Sequence, residues 1–367
     1  MTLTNYWWLL IWLVVGGSTL TFVIPKQPVQ VLGKTEYRWN WLAVILLVSP
    51  YAIWSMNRSN FGDTETYRRT FHDIPASLGQ MSEYLSEHTK DKGFSILMAF
   101  IKTMIGDNDK TFFLLIAAFQ IFCVAYFFRK YSTDFLLCMF MFVASTDYLS
   151  WMFNGMRQFI AVCIILLGFG FVLKKKYIPA IGIILLASTI HGSSFIMLPI
   201  VFVIQGKAWN KRTLFMLVIV VVAITSIGQF TSLLDNMLVE TQYNDLITNE
   251  IWMNDNGTNL FRVLFYSVPA VFSLFGKRYI DEANSPVINV CTNCAACTSI
   301  LYILSAFTSG IYIGRIPIFV TLQGYAVVPW LIDHVFTKDS GKLVKVGFIC
   351  GFLAFFYYQM HMTWGIL

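Results

Sequence analysis

The sequence predicts an all-α polytopic membrane protein, and two observations support this prediction. Of the 367 residues, 57% are hydrophobic and only 13% are charged, whereas soluble domains carry about 25% charged residues. Apolar runs near the length of about 20 residues that crosses a bilayer recur along the chain, and mean hydropathy is +0.63. No stretch between these runs is long enough for a separate soluble domain. We therefore expect a single integral membrane domain over residues 1–367.

Apolar runs divide the chain into about 12 predicted transmembrane helices, within a range of roughly 11–13. A shorter apolar run, Gly93–Ile105, contains Lys102 and predicts a re-entrant or interfacial helix. The predicted spans are Trp7–Ile24, Trp39–Met56, Thr111–Phe128, Asp134–Tyr148, Gly155–Leu173, Tyr177–Ile190, Ser194–Gln205, Thr213–Gln229, Asn259–Phe275, Val287–Ser309, Gly314–Ile332 and Leu343–Met362.

Lysine and arginine concentrate in alternate loops, which predicts that these loops lie inside and that both termini lie outside. Residues 57–92 and 230–258 are then the two long outer loops. The same distribution explains the net charge of +6, so no nucleic-acid partner is expected. The first span reads as retained because no small-residue cleavage site follows it.

The seven cysteines lie in apolar segments or near the predicted inner face, so no disulfide framework is expected. Cys291, Cys294 and Cys297 have a spacing that resembles a metal motif. They fall within an apolar helix with no histidine nearby, whereas a structural metal site needs a fourth ligand and a loop geometry. Buried thiols are therefore expected there, and no metal site.

Arg157 lies at the start of a predicted helix that is otherwise apolar from Ile160 to Leu173. A charge in that position costs a few kcal/mol, so it needs a partner or a function. If the segment is already helical, Asn154, Arg157 and Gln158 stand at i, i+3 and i+4 and share one face suited to an anionic group. The alternative is an arginine that extends to lipid headgroups.

Asp63 and Tyr67 follow the second predicted span at i and i+4. On a helix they share one face, and a carboxylate at the rim of a cavity can orient or deprotonate a hydroxyl. Asp63 also suits a helix N-cap, where its side chain accepts backbone N–H bonds. The sequence leaves both roles open because one residue can serve both.

His191 follows a predicted helix, Tyr177–Ile190, of about 14 residues or roughly 21 Å, shorter than the hydrocarbon core of about 30 Å. If both flanking helices start inside, the His191 turn lies at the floor of a cavity open to the outside. The alternative is a histidine satisfied by neighbouring backbone. Arg315 opens a later span, where membrane anchoring and anion binding compete. All these polar groups fall on the predicted outer side, which predicts an outer-face cavity.

Four short motifs together resemble the EpsG/Wzy-type bacterial polysaccharide polymerases. They occur in the same order as in that family and span most of the chain. The motifs are Gly62-Asp63-Thr64-Glu65-Thr66-Tyr67, Asn154-Gly155-Met156-Arg157-Gln158, His191-Gly192-Ser193-Ser194 and Gly314-Arg315.

The resemblance implies a membrane glycosyltransferase of the bacterial inner membrane, multi-pass, with its active site facing outward. It would polymerise undecaprenyl-diphosphate-linked oligosaccharide repeat units in capsule, exopolysaccharide or O-antigen biosynthesis. The energy is carried by the substrate, so the resemblance implies no cofactor. Expected partners are the lipid-linked oligosaccharide, membrane lipid, a chain-length regulator protein and a flippase.

The motif residues suit this chemistry. Breaking the bond to the anomeric carbon leaves negative charge on a diphosphate, which Arg157 and Arg315 could stabilise through bidentate bonds. The attacking sugar hydroxyl needs a base, and the sequence does not choose between Asp63 and His191. The residues expected to bind substrate are Tyr67, Asn154, Gln158 and Ser193.

Two other functions stay open at this point. A flippase or transporter of lipid-linked oligosaccharide predicts a charged path across the membrane, and the spans show no paired broken helices of the inverted-repeat kind. A membrane acyltransferase that modifies a glycan would use His191 as its base and would need an acyl donor from the cytoplasm.

Overall fold

The protein is described by a computed structural model that covers residues 6–60, 62–87, 90–225 and 257–365. It is 79% helix, with 18 α-helices in the described residues. They are α1 (Tyr6–Val23), α2 (Trp41–Met56), α3 (Thr64–Asp73), α4 (Leu78–Glu87), α5 (Lys92–Ile105), α6 (Asp109–Tyr131), α7 (Phe135–Ala144), α8 (Asp147–Leu149), α9 (Met156–Leu167), α10 (Phe169–Leu173), α11 (Tyr177–Ile190), α12 (Met197–Val203), α13 (Lys211–Thr225), α14 (Leu260–Phe275), α15 (Lys277–Ala283), α16 (Pro286–Phe307), α17 (Ile318–Val335) and α18 (Lys338–Tyr358).

Four π-helical or 3-10-helical segments accompany these α-helices. A π-helical segment, Ser150–Asn154, follows α8, and a second, Gln359–Thr363, follows α18. A 3-10 helix, Gly192–Ile196, follows the predicted histidine turn, and another, Ile313–Arg315, precedes α17. In these segments the regular i to i+4 hydrogen-bond pattern stops. The side chains that follow each segment therefore point in a different direction than they would on a continuous α-helix.

A short antiparallel hairpin lies between α1 and α2, where the sequence predicted only a loop. Gln27–Val31 (β1) pairs with Lys34–Arg38 (β2). The two turn residues, Leu32 and Gly33, both have positive φ, at 49° and 84°. This is the backbone that a two-residue hairpin loop requires. The prediction of an all-α chain is therefore correct for the described residues except for this hairpin.

The chain folds into two compact units. The first comprises Met1–Gly170, Ile178–Ser194 and Phe336–Leu367, and the second comprises Phe171–Tyr177 and Phe195–Val335. The predicted outer loop 230–258 lies almost entirely outside the described residues, as does the end of the predicted span at Gln229.

Helices α1, α2, α6 and α9 form much of the first unit. Two side chains bond across to the neighbouring helix: Trp12 Nε1 donates to Leu47 O at 2.9 Å, and the Tyr51 hydroxyl donates to Leu9 O at 2.8 Å. Buried indole and phenol groups need such partners because an unpaired donor away from water costs about 1–3 kcal/mol. These bonds fix the packing of α1 against α2.

The second unit is organised around α16, which is buried along most of its length. Its two buried asparagines bind the turn before α13. Asn289 Oδ1 accepts from Ala208 N at 3.0 Å, and Asn293 Oδ1 accepts from Trp209 N at 2.8 Å. The three cysteines of α16, predicted as buried thiols, are buried and free.

Five described helices are long and apolar enough to cross a membrane, or up to seven if each of two bent pairs is one span. The bent pairs are α7 with residues 147–154, at 67°, and α14 with α15, at 66°. Other predicted spans hold helices of 10–17 residues, such as Trp41–Met56 within the predicted Trp39–Met56, and Tyr177–Ile190. These are shorter than the roughly 20 residues of a typical crossing. The chain is a multi-pass membrane protein, and its predicted total of about 12 crossings stays a prediction.

Candidate functional site

A cavity of about 490 Å³ lies in the first unit, between α3, α4, α5 and the start of α9. Its size is within the range of about 300–1,000 Å³ that small-molecule sites occupy. Charged, hydroxyl and aromatic side chains all reach its surface. The lining residues are Asp63, Thr66, Tyr67, Thr70, Tyr84, Glu87, Lys90, Asp91, Phe94, Ser95, Met98 and Arg157.

Asp63 occupies the N-cap position of α3, but its side chain makes no capping hydrogen bond. The capping role that the sequence allowed is therefore not adopted, and the carboxylate lines the cavity, exposed. Tyr67 lines it one turn further along α3, as the i, i+4 spacing predicted. Burial raises the pKa of the Tyr67 phenol, and the nearby Arg157 charge partly opposes that shift. The phenol thus stays protonated at neutral pH.

Asn154 acts on the backbone beside Asp63. Its Oδ1 accepts from Asp63 N at 3.2 Å. Gly62 has a φ of +53°, and a Cβ there would lie 2.6 Å from Asn154 Oδ1. Only glycine fits this close approach with that backbone conformation. The predicted substrate ligand Asn154 does not line the cavity, and it holds the turn that presents Asp63.

The position of α5 depends on Lys102, the charge inside the short apolar run. Its Nζ donates to the carbonyls of Phe71, His72 and Ile74 at 3.1, 2.6 and 3.0 Å. These carbonyls lie at the end of α3, where the last turn has no intrahelical donors. Lys102 also pairs with Asp107 at 3.1 Å. The lysine therefore joins α5 to α3, the two helices that carry most of the cavity wall.

Arg157 reaches the cavity because the helix breaks just before it. The π-helical segment ends at Asn154, Gly155 has a φ of −94° and a ψ of 36°, and α9 begins at Met156. The expectation that Asn154, Arg157 and Gln158 share one helical face is therefore wrong. A continuous α-helix would have aligned them, whereas the break at Gly155 separates Asn154 from the other two.

Asp91 binds Arg157 and was not singled out from the sequence. Its Oδ2 accepts from Arg157 Nη1 at 2.9 Å, and its Oδ1 accepts from Gly192 N at 3.2 Å. The Asp91 side chain is 10% exposed and the Arg157 side chain 40% exposed. Asp91 itself has a φ of 51°, the left-handed region that non-glycine residues seldom adopt. One carboxylate thus joins the start of α5, the start of α9 and the turn after α11.

His191 and its neighbours form a separate hydrogen-bonded group. Gln158 Nε2 donates to Ser193 Oγ at 3.2 Å. Ser193 in turn approaches His191 Nδ1 with its backbone N at 3.2 Å and its Oγ at 3.0 Å. None of these three predicted site residues lines the cavity. Asp91, which lines the cavity, accepts a bond from the adjacent Gly192 N and so connects this group to the cavity wall.

Arg315 lies in the second unit, in the 3-10 turn before α17, and its side chain is exposed. Arg157 belongs to the first unit and Arg315 to the second. That both arginines bind one diphosphate stays a prediction. Within the described residues, no group of three or more His, Cys, Asp or Glu side chains is placed to hold a metal ion.

Comparison with known families adds an independent observation. The EpsG family model matches residues 40–364, most of the chain. The chain belongs to the EpsG family. No curated protein and no solved structure gives a significant match. Membership confirms the resemblance predicted from the motifs, all of which lie within the matched residues. It indicates a membrane glycosyltransferase that acts as a polymerase in polysaccharide biosynthesis.

Two buried side chains hold the helix break that orients Arg157 in this EpsG-family chain. Arg58 Nη1 donates to Met152 O at 3.2 Å, and Gln120 Nε2 donates to Met156 O at 3.0 Å. Arg58 is 5% exposed, and its guanidinium carbon lies 3.8 Å from the ring centroid of Phe113. Carbonyls on both sides of Gly155 therefore receive side-chain donors. From the sequence alone, Arg58 is only one of the charges of the predicted outer loop.

We expect Arg58→Met to lower polysaccharide chain extension about tenfold while changing the free energy of unfolding by only about 2 kcal/mol or less. The methionine side chain is apolar and of similar length, so it keeps the packing. It cannot donate a hydrogen bond, so it no longer holds the helix break before Arg157. Chain extension and denaturant unfolding of the purified protein measure the two effects.

Arg129→Met is the matched control, because Arg129 is also buried, lies 4.4 Å from the Trp41 ring centroid and donates to Trp39 O at 2.6 Å. Neither of these contacts involves the helix break, so the replacement should leave chain extension near that of the native protein. Equal losses in both variants would show that Arg58 acts through general stability.

Proposed function

We propose that the chain polymerises undecaprenyl-diphosphate-linked oligosaccharide repeat units at the outer face of the bacterial inner membrane. Capsule, exopolysaccharide and O-antigen are the candidate products. One observation carries the proposal: a single cavity presents the Asp63 carboxylate and the Arg157 guanidinium together. EpsG-family membership and the apolar helices support the same reaction class and a membrane location.

The reaction needs a base, and the geometry favours Asp63. Its carboxylate lines the cavity and is free of the capping role, so it is placed to accept the proton of an acceptor hydroxyl. His191 lies outside the cavity lining, and Ser193 engages its Nδ1. We therefore propose Asp63 as the base and His191 as part of the group that positions α9.

The leaving group is a lipid diphosphate, and Arg157 is proposed to stabilise it. As the acceptor oxygen bonds to the anomeric carbon, the bond from that carbon to the diphosphate oxygen breaks and negative charge develops there. Asp91 holds one edge of the guanidinium, and the 40% of the side chain that is exposed leaves donors for the phosphate. Arg315 is proposed as a second arginine that binds the diphosphate.

Chain extension by the purified full-length protein in liposomes tests this function. The substrate is a lipid-diphosphate-linked repeat unit labelled in its sugar, supplied with no nucleotide sugar. We expect a ladder of products spaced by one repeat unit on a gel. Glu83→Gln should give the same ladder, because Glu83 is exposed on α4 and does not line the cavity. Two outcomes would contradict the proposal. One is that the lipid-linked unit crosses the bilayer while its glycan does not lengthen, and the other is that the glycan gains acyl groups but no sugar units.

A further inference from the structure

The cavity carries more carboxylates than cations. Asp63, Glu87 and Asp91 line it together with Lys90 and Arg157. Asp91 and Arg157 pair with each other at 2.9 Å, so together they add no net charge to the wall. The remaining charges are two carboxylates and one lysine. The wall is thus net negative although its proposed reaction releases an anionic diphosphate.

The two remaining carboxylates differ from Glu65 and Asp109, the nearby acidic groups that bind Arg68. Among the described residues, neither Asp63 nor Glu87 forms an ion pair, whereas Glu65 and Asp109 both pair with Arg68. Both carboxylates are exposed to the cavity. Carboxylates in such a position accept charge-assisted hydrogen bonds from neutral hydroxyls and repel another carboxylate.

Aromatic side chains complete the wall. Tyr84 on α4 and Phe94 on α5 line the cavity, and the rings of Tyr67 and Phe94 have centroids 6.0 Å apart. Aromatic rings offer apolar faces against which the C–H face of a pyranose ring can pack. A sugar ring has hydroxyl groups at its edges and apolar C–H groups on its faces. A wall with carboxylates that accept bonds from hydroxyls, next to aromatic rings, therefore suits a sugar ligand.

We infer that the cavity binds the acceptor sugar of the repeat unit and selects a sugar that carries no negative charge. The inference rests on the proposed function and adds a substrate class to it. A uronic acid would bring its carboxylate into a cavity whose wall already holds Asp63 and Glu87. The matching neutral sugar, with a hydroxymethyl group in place of that carboxylate, would donate a hydrogen bond there. Discrimination of this kind comes from the repulsive group as much as from the attractive contact.

Matched pairs of methyl glycosides test the charge preference directly. Methyl glucoside and methyl glucuronide differ only at C6, as do the galactoside and galacturonide, and the mannoside and mannuronide. We expect the full-length protein in nanodiscs to bind each uronide at least about tenfold more weakly than its neutral partner, measured by saturation-transfer NMR. High salt should reduce the difference, because it screens exposed charges.

Two variants assign the preference to the cavity. Glu87→Gln should narrow the difference in affinity between the neutral glycoside and the uronide of each pair to about threefold or less. Glu83→Gln, one turn away on the same helix and outside the cavity lining, should leave it unchanged. Equal or tighter binding of the uronides overturns the inference, and so does the failure of every glycoside to bind.

The binding measurement separates this inference from the proposed function because it needs no chain growth. If chain extension occurs but uronides bind as well as neutral glycosides, only the charge preference is lost. If neutral glycosides are preferred but no chain grows in the liposome assay, the cavity remains a sugar site and the polymerase assignment falls.

Discussion

Replacing Asp63 by asparagine is expected to lower the rate of chain extension by about 10²–10⁴-fold, the usual contribution of a general base. A carboxamide has the size of the carboxylate but cannot accept the proton of the attacking hydroxyl. The Asp63 side chain caps no backbone N–H of α3. The bond from Asp63 N to Asn154 uses the main chain and is therefore kept. Stability should stay within about 0.5 kcal/mol of the native protein.

Asp73→Asn is a suitable control for this substitution, because Asp73 is exposed at the end of the same helix and does not line the cavity. His191→Gln addresses the alternative base. We expect it to reduce extension less than Asp63→Asn does, since His191 lies outside the cavity lining. The reverse order, with the histidine variant nearly inactive and the Asp63 variant extending normally, would assign the base to His191.

Arg157→Ala is expected to lower chain extension by about 10²–10³-fold, comparable to the loss of one charge-stabilising donor in other active sites. The same change leaves Asp91, whose side chain is only 10% exposed, without its cation. Breaking a buried pair costs about 3–5 kcal/mol and an exposed pair about 0–1 kcal/mol. Because Arg157 is 40% exposed, a loss of roughly 1–3 kcal/mol of stability is expected.

The double variant Asp91→Asn with Arg157→Ala separates these two effects. Removing the buried carboxylate together with its cation should restore most of the lost stability, measured by denaturant unfolding, because no uncompensated charge remains. Chain extension should stay as low as in Arg157→Ala alone, since the donor to the diphosphate is still absent. Recovery of chain extension in the double variant would show that Arg157 acts through the fold and not on the substrate.

Much of the fold was predictable because local composition determines it. The prediction of a helix over Tyr177–Ile190 agrees with α11 at both ends, and α16 at Pro286–Phe307 agrees closely with the predicted span Val287–Ser309. Long apolar runs with clear ends leave few alternatives to a helix. The hairpin at residues 27–38 was missed because its strands are short and polar, and positive φ at Leu32 has no reliable signal in the sequence.

The candidate site was predicted in part. Asp63 and Tyr67 were expected on one face because their spacing is a local property of a helix, and both line the cavity. Asp91 was missed. Its position before a short apolar run could have indicated the start of a helix, but nothing near it in the sequence indicates that it pairs with Arg157, 66 residues away.

By itself the sequence determined that this chain is a helical membrane protein of the EpsG family, because helix formation in lipid and short motifs depend on residues close together in the chain. Only the tertiary structure decided that Asp63 does not cap α3, that Gly155 breaks the helix before Arg157, and that Asp91 joins Arg157 to Gly192. These contacts join segments that are separated by up to 101 residues. They depend on how whole helices pack, through many small contributions that no local pattern records.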